Sequence, residues 1–359
     1  MSDSTYMRRA MFHAARATGA TTPNPVVGAV VVDADGVVVG QGHHARAGGP
    51  HAEVNALAEA GARARGATVY VTLEPCCHTG RTGPCTEQIL AAGVRRVVAA
   101  TLDPYPLVAG RGVATLRAAG VAVDVGVEAE AARRLNAAYL MATECRRPCI
   151  VVKAAVSSDG RIAAAPGRRT PITGREARHR VARLRASVDA IAVGVGTVLA
   201  DDPRLGVREV VRDRPWSRVI FDRRLRTPLE STLLSTPDDG QVIMVTAGDA
   251  LDAHGPRVAA LRRRGALVVA AETLESACRQ LAGLGLQAVL VEGGAELHRS
   301  LWEADLVDRM HLVVAPQALG PAGVPLFGGF GVPWSRLDVV RAEPCGRDVW
   351  IEADVHRHR

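Results

Sequence analysis

Runs of valine and alanine alternate along the chain with segments whose apolar residues recur every three or four positions, the pattern of strands interleaved with helices. Met7, Met11, Ala14 and Ala15 form one helical face, with Ser4 or Asp3 as its cap and Gly19 and Thr21-Thr22-Pro23 as its stop. Val26 to Val32 and Val37 to Gly40 are too continuously apolar for strands with one wet face, so the sheet they begin is covered on both sides. Asp33-Ala34-Asp35-Gly36 between them reads as a hairpin connection. An alanine-rich helix runs from His51 to Ala64, followed by a strand at Thr68 to Leu73, a Gly/Pro-rich loop at Glu74 to Pro84 and a helix from Cys85 to Gly93. A strand at Val97 to Thr101, a loop at Asp103 to Gly110, a helix at Arg111 to Ala119, a strand at Val121 to Val125 and a capped helix at Glu128 to Met141 complete an α/β/α unit.

The charged bridge Thr143-Glu144-Cys145-Arg146-Arg147-Pro148 marks a boundary, which gives domains 1–146 and 147–359. Beyond it Val151 to Val156 resumes strand character, Ser158-Asp159-Gly160 turns, and Ile172-Thr173-Gly174 introduces a helix through Ala186. The strand Asp189 to Gly194 empties into Val195 to Pro203, read as a loop whose small residues let backbone donors approach a phosphate. Further strands fall at Arg218 to Phe221, Val242 to Val245, Ala266 to Ala270 and Ala288 to Val291, with helices at Pro256 to Arg263 and Leu274 to Ala282. Glu292-Gly293-Gly294 then feeds a helix at Ala295 to Leu301, a second nest of backbone donors. Neither glycine segment has the spacing of the G-x-G-x-x-G dinucleotide fingerprint.

Composition narrows the class. At 359 residues the chain holds two domains, and with 3% aromatic residues its cores must be built from Ala, Val and Leu. The formal charge of +7 comes from 44 basic and 37 acidic residues dispersed along the chain, a solvated surface rather than a nucleic-acid stripe. No specific nucleic-acid partner is expected. Seven cysteines, an uneven number, point to a reducing compartment. The N-terminus lacks an apolar signal core, and no apolar run is long enough to span a bilayer, so a cytoplasmic protein without membrane contact is expected.

The candidate chemistry sits in two short stretches, His51-Ala52-Glu53 and Pro75-Cys76-Cys77-His78 through Pro84-Cys85. One imidazole and two thiolates give zinc three ligands and leave a fourth position for water. Glu53 is close enough to take a proton from that water and carry it to a leaving amine. His-x-Glu followed by Pro-Cys and a second cysteine is the pattern of zinc deaminases acting on bases. Cys77 and His78 are adjacent alternatives as ligands. Cys145, Cys149, Cys278 and Cys345 read as packed or exposed thiols, His43 as a loop histidine, and Asp201 and Asp202 before Pro203 as turn formers.

These stretches, with Thr22-Pro23-Asn24-Pro25-Val26-Val27-Gly28, Thr72-Leu73-Glu74-Pro75-Cys76, Gly80-Arg81-Thr82 and Val108-Ala109-Gly110-Arg111-Gly112, resemble the bifunctional riboflavin biosynthesis deaminase/reductase family. In the second half the resemblance is carried by Lys153 to Arg161, Thr197 to Pro203, Glu292-Gly293-Gly294 and Leu326-Phe327. It implies an α/β chain with an N-terminal cytidine-deaminase-like three-layer α/β/α domain and a C-terminal dihydrofolate-reductase-like α/β domain. The first would hydrolytically deaminate 2,5-diamino-6-(5-phosphoribosylamino)pyrimidin-4(3H)-one. The second would reduce the ribosyl group of 5-amino-6-(5-phosphoribosylamino)uracil to ribityl with NADPH.

The resemblance assigns His51, Cys76 and Cys85 to zinc, Glu53 to proton transfer, and Asn24, His44 and Arg81 to the deaminase substrate. Ala155, Thr197, Asp201 and the segment beginning at Gly294 match cofactor positions. Arg185, Leu205, Arg208 and Glu292 match positions for the phosphosugar substrate of the reductase. Subunit pairing through the reductase-like domain, as a homodimer, is also implied. Three departures stand out: Gly83 replaces a proline, Tyr105 an asparagine in the deaminase pocket, and Arg168-Arg169-Thr170-Pro171 a segment carrying a substrate hydroxyl and a cofactor-stacking tryptophan. A deaminase of a related pyrimidine with altered or lost reduction is the alternative reading, and a nucleic-acid base deaminase a further one.

Overall fold

The computed structural model describes residues 1–80, 83–207, 210, 214–329 and 331–355. Arg81 and Arg208, two of the candidate substrate residues, lie outside the described residues. The chain divides into two compact units, Met1–Cys145 and Arg146–Arg359.

The first unit runs α1 (Asp3–Ala15), β1 (Gly28–Val32), β2 (Val38–His43), α2 (Ala52–Ala60), β3 (Thr68–Val71), α3 (Cys85–Ala91), β4 (Arg96–Ala99), α4 (Arg111–Ala118), β5 (Ala122–Val125), α5 (Ala129–Leu135) and α6 (Ala137–Glu144). Its five strands form one sheet in the order β2-β1-β3-β4-β5, antiparallel around β1 and parallel from β3 to β5. Both faces are covered, as the valine runs require. Ala29 and Val31 join a core with α2, α3 and α4, while Val30 and Val32 pack with Tyr6, Met7 and Ala10 of α1. Burial of each such valine contributes about 1.5–3 kcal/mol.

Two local expectations change. Ser2 rather than Ser4 or Asp3 caps α1, its side chain accepting from the Thr5 amide. Asp3 instead accepts from Tyr70 at 2.6 Å and pairs with Arg96, which ties the helix start to β3 and β4. The helix expected over Glu128 to Met141 breaks at Asn136, because that side chain bonds both backbone groups of Val26, at 2.8 and 2.9 Å. His43 is not in a loop but ends β2, its carbonyl accepting from Asn55.

The second unit runs β6 (Cys149–Ser157), β7 (Arg161–Ala163), α7 (Arg175–Ala186), β8 (Ala190–Gly194), α8 (Val195–Asp201), β9 (Ser217–Phe221), α9 (Thr232–Ser235), β10 (Gln241–Thr246), α10 (Gly248–Ala253), α11 (Gly255–Arg263), β11 (Leu267–Ala270), α12 (Leu274–Gly283), β12 (Ala288–Gly293), α13 (Ala295–Glu303), β13 (Arg309–Ala315), β14 (Val324–Pro325), β15 (Leu337–Cys345) and β16 (Asp348–Val355). Nine strands make one sheet in the order β11-β10-β9-β8-β12-β6-β13-β16-β15. It is parallel from β11 through β13, and β16 and β15 close it antiparallel. Along β6 the side chains of Ile150, Val152, Ala154 and Val156 enter the main core, which leaves Lys153 and Ala155 on the opposite face.

Val195 to Asp201, read from sequence as an open loop, is a helix. Val195 and Val198 bury one side of it at helical spacing, and extended Gly194 starts it. No strand is expected from the sequence after α13. The structure places β13 there, a buried strand whose apolar run Leu312 to Ala315 the sequence reading leaves unassigned, together with β14 and the β15–β16 hairpin, whose charged residues hide its alternation.

Candidate active sites

In the first unit His51 is the N-cap of α2, Cys85 the first residue of α3, and Cys76 lies in the loop after β3. The ligand atoms of these residues lie within 4.8 Å of one another, the group among the described residues with the make-up of a metal site. His51 Nδ1 is 3.2 Å from Cys85 Sγ and 3.5 Å from Cys76 Sγ. A tetrahedron with ordinary zinc–nitrogen and zinc–sulfur bonds has edges of about 3.5 Å, so the donor set fits zinc in chemistry and in spacing.

The electrostatics are those of a cation site. Donation from Cys85 brings the Cys76 thiol down to about 4, with burial opposing and His51 adding to the effect. Cys85 is pushed up, first by Cys76 and then by burial. His51 is raised, chiefly by its contact with Cys76. Glu53, in the first turn of α2 and 3% exposed, is lifted by burial to about 7. A carboxyl with that value gives and takes a proton near neutral pH.

Close packing sets where these groups stand. A Cβ on Gly42 would fall 2.6 Å from the Ala52 carbonyl, so glycine there lets the start of α2 settle on β2. At Gly112 it would meet the Pro75 carbonyl at 2.0 Å, so α4 braces the cysteine loop in the same way. Asn24 and His44 also come to the site: Asn24 Nδ2 is 3.0 Å from His44 Nε2, and the His44 ring stands edge-on to His51 at 5.3 Å. His44 Nδ1 lies 3.0 Å from the Pro50 carbonyl, which can only accept. Its Nδ1 therefore carries the proton and Nε2 accepts from Asn24. Burial lowers the pKa of this imidazole.

Glu74 lies within the Thr72-Leu73-Glu74-Pro75-Cys76 motif, which by itself assigns it no role. Its buried carboxylate accepts from the amides of Asp103, Gly110 and Val113 at 3.2, 2.9 and 3.0 Å, which joins the cysteine loop to the loop after β4. Asp103 in turn accepts from the Tyr105 amide and the Tyr139 hydroxyl.

The second unit gathers its candidates at the carboxyl ends of neighbouring strands β8, β12 and β6. Arg185 of α7 forks onto Glu292 of β12, Nε and Nη2 each 2.6 Å from a carboxylate oxygen, and Nη1 donates to the Gly206 carbonyl at 2.9 Å. Burial raises Glu292, but Arg185, Lys153 and His298 outweigh it and hold the carboxyl below its ordinary value. Thr197 approaches the Gly293–Gly294 turn, where a Cβ on Gly293 would lie 3.0 Å from its hydroxyl oxygen. Gly294 is the N-cap of α13 and makes no side-chain cap, a helix start that suits a phosphate-bearing cofactor. Asp201, the last residue of α8, is exposed. Leu205 sits at φ 49 and is 4% exposed.

Lys153, in the stretch Lys153 to Arg161, is a candidate that the sequence reading does not single out. Burial draws its ammonium below the ordinary lysine value, Glu292 opposes this and Arg185 reinforces it. A compositional signal was available: Lys153 is the only lysine among 44 basic residues. A chain that otherwise uses arginine throughout keeps a compact primary ammonium at this one place.

These features define a two-domain enzyme, a metal-dependent deaminase followed by a nucleotide-dependent reductase. The family model for the cytidine and deoxycytidylate deaminase zinc-binding region matches residues 1–101, and that for the RibD C-terminal domain matches residues 148–351. The chain is 42% identical to the riboflavin biosynthesis protein RibD of Aquifex aeolicus over 89% of its own length and 88% of that protein. Among solved structures it is similar to Acinetobacter baumannii RibD, with a TM-score of 0.86, 36% identity and 99% of each chain covered. It is also similar to a diaminohydroxyphosphoribosylaminopyrimidine deaminase/5-amino-6-(5-phosphoribosylamino)uracil reductase from Thermotoga maritima, with a TM-score of 0.84, 32% identity and 98% of each chain covered.

The chain belongs to the RibD family, the bifunctional deaminase/reductases of riboflavin biosynthesis. Its first domain has the cytidine deaminase fold and its second the dihydrofolate reductase-like fold, with zinc and NADPH as their respective cofactors. Among the described residues no helix is long and apolar enough to cross a membrane.

Proposed function

We propose that residues 1–146 hydrolyse the 2-amino group of 2,5-diamino-6-(5-phosphoribosylamino)pyrimidin-4(3H)-one, and that residues 147–359 reduce the ribosyl group of 5-amino-6-(5-phosphoribosylamino)uracil to ribityl with NADPH. The observation that carries this reading is the buried Glu53 carboxyl, raised to about 7, beside the His51, Cys76 and Cys85 donor set. The activity of the Thermotoga maritima relative supports the choice of substrates.

His51, Cys76 and Cys85 would hold zinc, which would supply Lewis-acid activation of the attacking water. Glu53 takes one proton from the attacking water and gives it to the ring nitrogen, then takes the second from the hydroxyl so added and gives it to the amine, which leaves as ammonia when the C–N bond breaks. Asn24, oriented by neutral His44, hydrogen-bonds the substrate, and Arg81 matches its phosphate.

In the second domain NADPH supplies the hydride. Ala155, Thr197, Asp201 and the segment from Gly294 hold it. Glu292, kept charged by Arg185, accepts from ribose hydroxyls, Lys153 donates to the substrate, and Leu205 and Arg208 flank the phosphosugar. Arg185 spends its fork on Glu292, so its part is to fix that carboxylate rather than to grip phosphate directly.

A cytoplasmic homodimer is part of the same reading. The seven unpaired cysteines suit a reducing compartment. Between α7 and the antiparallel end of the large sheet lies a cavity of ≈ 1000 Å³ lined in part by Arg180, Arg183, His311, Arg341, Glu343 and Trp350. Two of its buried polar atoms, Trp350 Nε1 and His311 Nδ1, make no hydrogen bond, and edge strand β15 exposes Val339 and Val340. A second copy docking there would cover both features.

The test is to supply purified protein with the diaminopyrimidine phosphate, with and without NADPH. Ammonia release followed by NADPH oxidation supports the proposal, and neither reaction under zinc-replete conditions would refute it. Ammonia release without NADPH consumption selects instead a deaminase with altered reduction. That second reading is favoured by Thr170, whose hydroxyl accepts from the Ala164 amide at 2.9 Å within the substituted segment.

A further inference from the structure

Four tyrosines serve this chain, and three are accounted for by the fold. Tyr6 is buried and donates to the Gly36 carbonyl, Tyr70 is buried and donates to Asp3, and Tyr139 donates to Asp103. Tyr105 is 41% exposed, and its hydroxyl has no hydrogen-bond partner among the described residues.

The position is specific. The Tyr105 ring centroid is 5.9 Å from that of His78, two residues past Cys76, and the Cys77 thiol reaches the Leu107 carbonyl of the same loop. The backbone that presents the ring is held at both ends. The Tyr105 amide donates to Asp103 at 2.9 Å, and the Tyr105 carbonyl accepts from Val108 and Ala109 at 2.8 and 3.0 Å. Glu74 then ties Asp103 to the cysteine loop. A ring fixed in this way meets a flat ligand without first losing loop entropy. Asn24 and His44 supply hydrogen-bonding groups beside His51.

We infer that Tyr105 is a specificity-determining residue of the deaminase domain, its ring the stacking surface for the pyrimidine of the substrate. The inference rests on the proposed deamination of a phosphoribosylated diaminopyrimidine and names how this chain grips its heterocycle. The contact is made equally in the ground state and the transition state, so its loss appears in KM rather than kcat.

The experiment compares wild type with Tyr105→Phe, Tyr105→Leu and Tyr105→Ala in deamination of the diaminopyrimidine phosphate. Zinc content and NADPH-dependent reduction of the aminouracil, measured on the same preparations, report an intact protein. Tyr105→Ala and Tyr105→Leu raise KM about tenfold or more, the loss of one stacked base, with kcat within about twofold, and Tyr105→Phe keeps the wild-type KM. An unchanged KM in Tyr105→Ala overturns the inference. So does a KM in Tyr105→Phe as high as in Tyr105→Ala, which would assign the effect to the hydroxyl. Absence of deamination in wild type overturns the parent reading instead and takes this one with it.

Discussion

Glu53 and Glu292 are the same residue type, at 3% exposure for the first residue and 9% for the side chain of the second, yet their surroundings drive them in opposite directions. Around Glu53 burial dominates, the neighbouring Cys76 adds to it, and the carboxyl rises to about 7. Around Glu292 the same penalty is overcome by the fork of Arg185, with Lys153 and His298 behind it, and the carboxyl stays below its ordinary value. Burial alone therefore does not decide what a carboxylate does. The cation placed against it decides, making a proton carrier in one domain and a fixed anion in the other.

The largest way to separate the two domains is to remove the metal. Chelation should take ammonia release to background and zinc should restore it, while NADPH oxidation with the aminouracil keeps its rate. Loss of both reactions would show that the domains are not chemically independent. Glu292→Gln should come next: it leaves Arg185 facing a neutral amide in a mostly enclosed site, at a cost of about 3 kcal/mol. A lower denaturation midpoint together with slower reduction would confirm the fixed anion, and an unchanged midpoint would deny it.

Lys153→Arg keeps the charge and changes its shape. Reduction should fall about 30-fold, close to 2 kcal/mol of transition-state stabilisation, with deamination unaffected. Equal rates would mean that the single lysine carries charge only. The smallest effect belongs to Glu74→Gln, which removes one of the two oxygens that accept from the Asp103, Gly110 and Val113 amides. It should cost about 1–2 kcal/mol of stability, with a change in deamination and none in reduction.

The two sites were unequally legible in the sequence, for a physical reason. His51 and Glu53 are two residues apart, and Cys76 and Cys85 share one loop-to-helix turn, so the spacing alone places soft ligands and an acid together. The Arg185–Glu292 pair is separated by 107 positions, and nothing local marks either residue as the partner of the other. Sequence brought both forward as ligand contacts, and only the fold joined them. Most of the interleaved strands were readable because buried parallel strands are continuously apolar, but β13, equally buried and parallel to β6, was missed although Leu312 to Ala315 is apolar. The β15–β16 hairpin was not readable, because its strands mix charged and apolar residues at the edge of the sheet. Asn136 shows a third kind of limit. An asparagine within a helical pattern gives no notice that it will satisfy the backbone of Val26, 110 residues away. Lys153 was available from composition to any reader who counted lysine apart from arginine.

The most direct measurement gives wild type and Glu53→Gln each substrate in turn, following ammonia with the diaminopyrimidine phosphate and NADPH oxidation with the aminouracil. The account predicts that Glu53→Gln retains zinc, releases ammonia on the order of 10³-fold more slowly, and oxidises NADPH at the wild-type rate. Undiminished ammonia release by the variant, or loss of both reactions in protein that still holds its zinc, would contradict it.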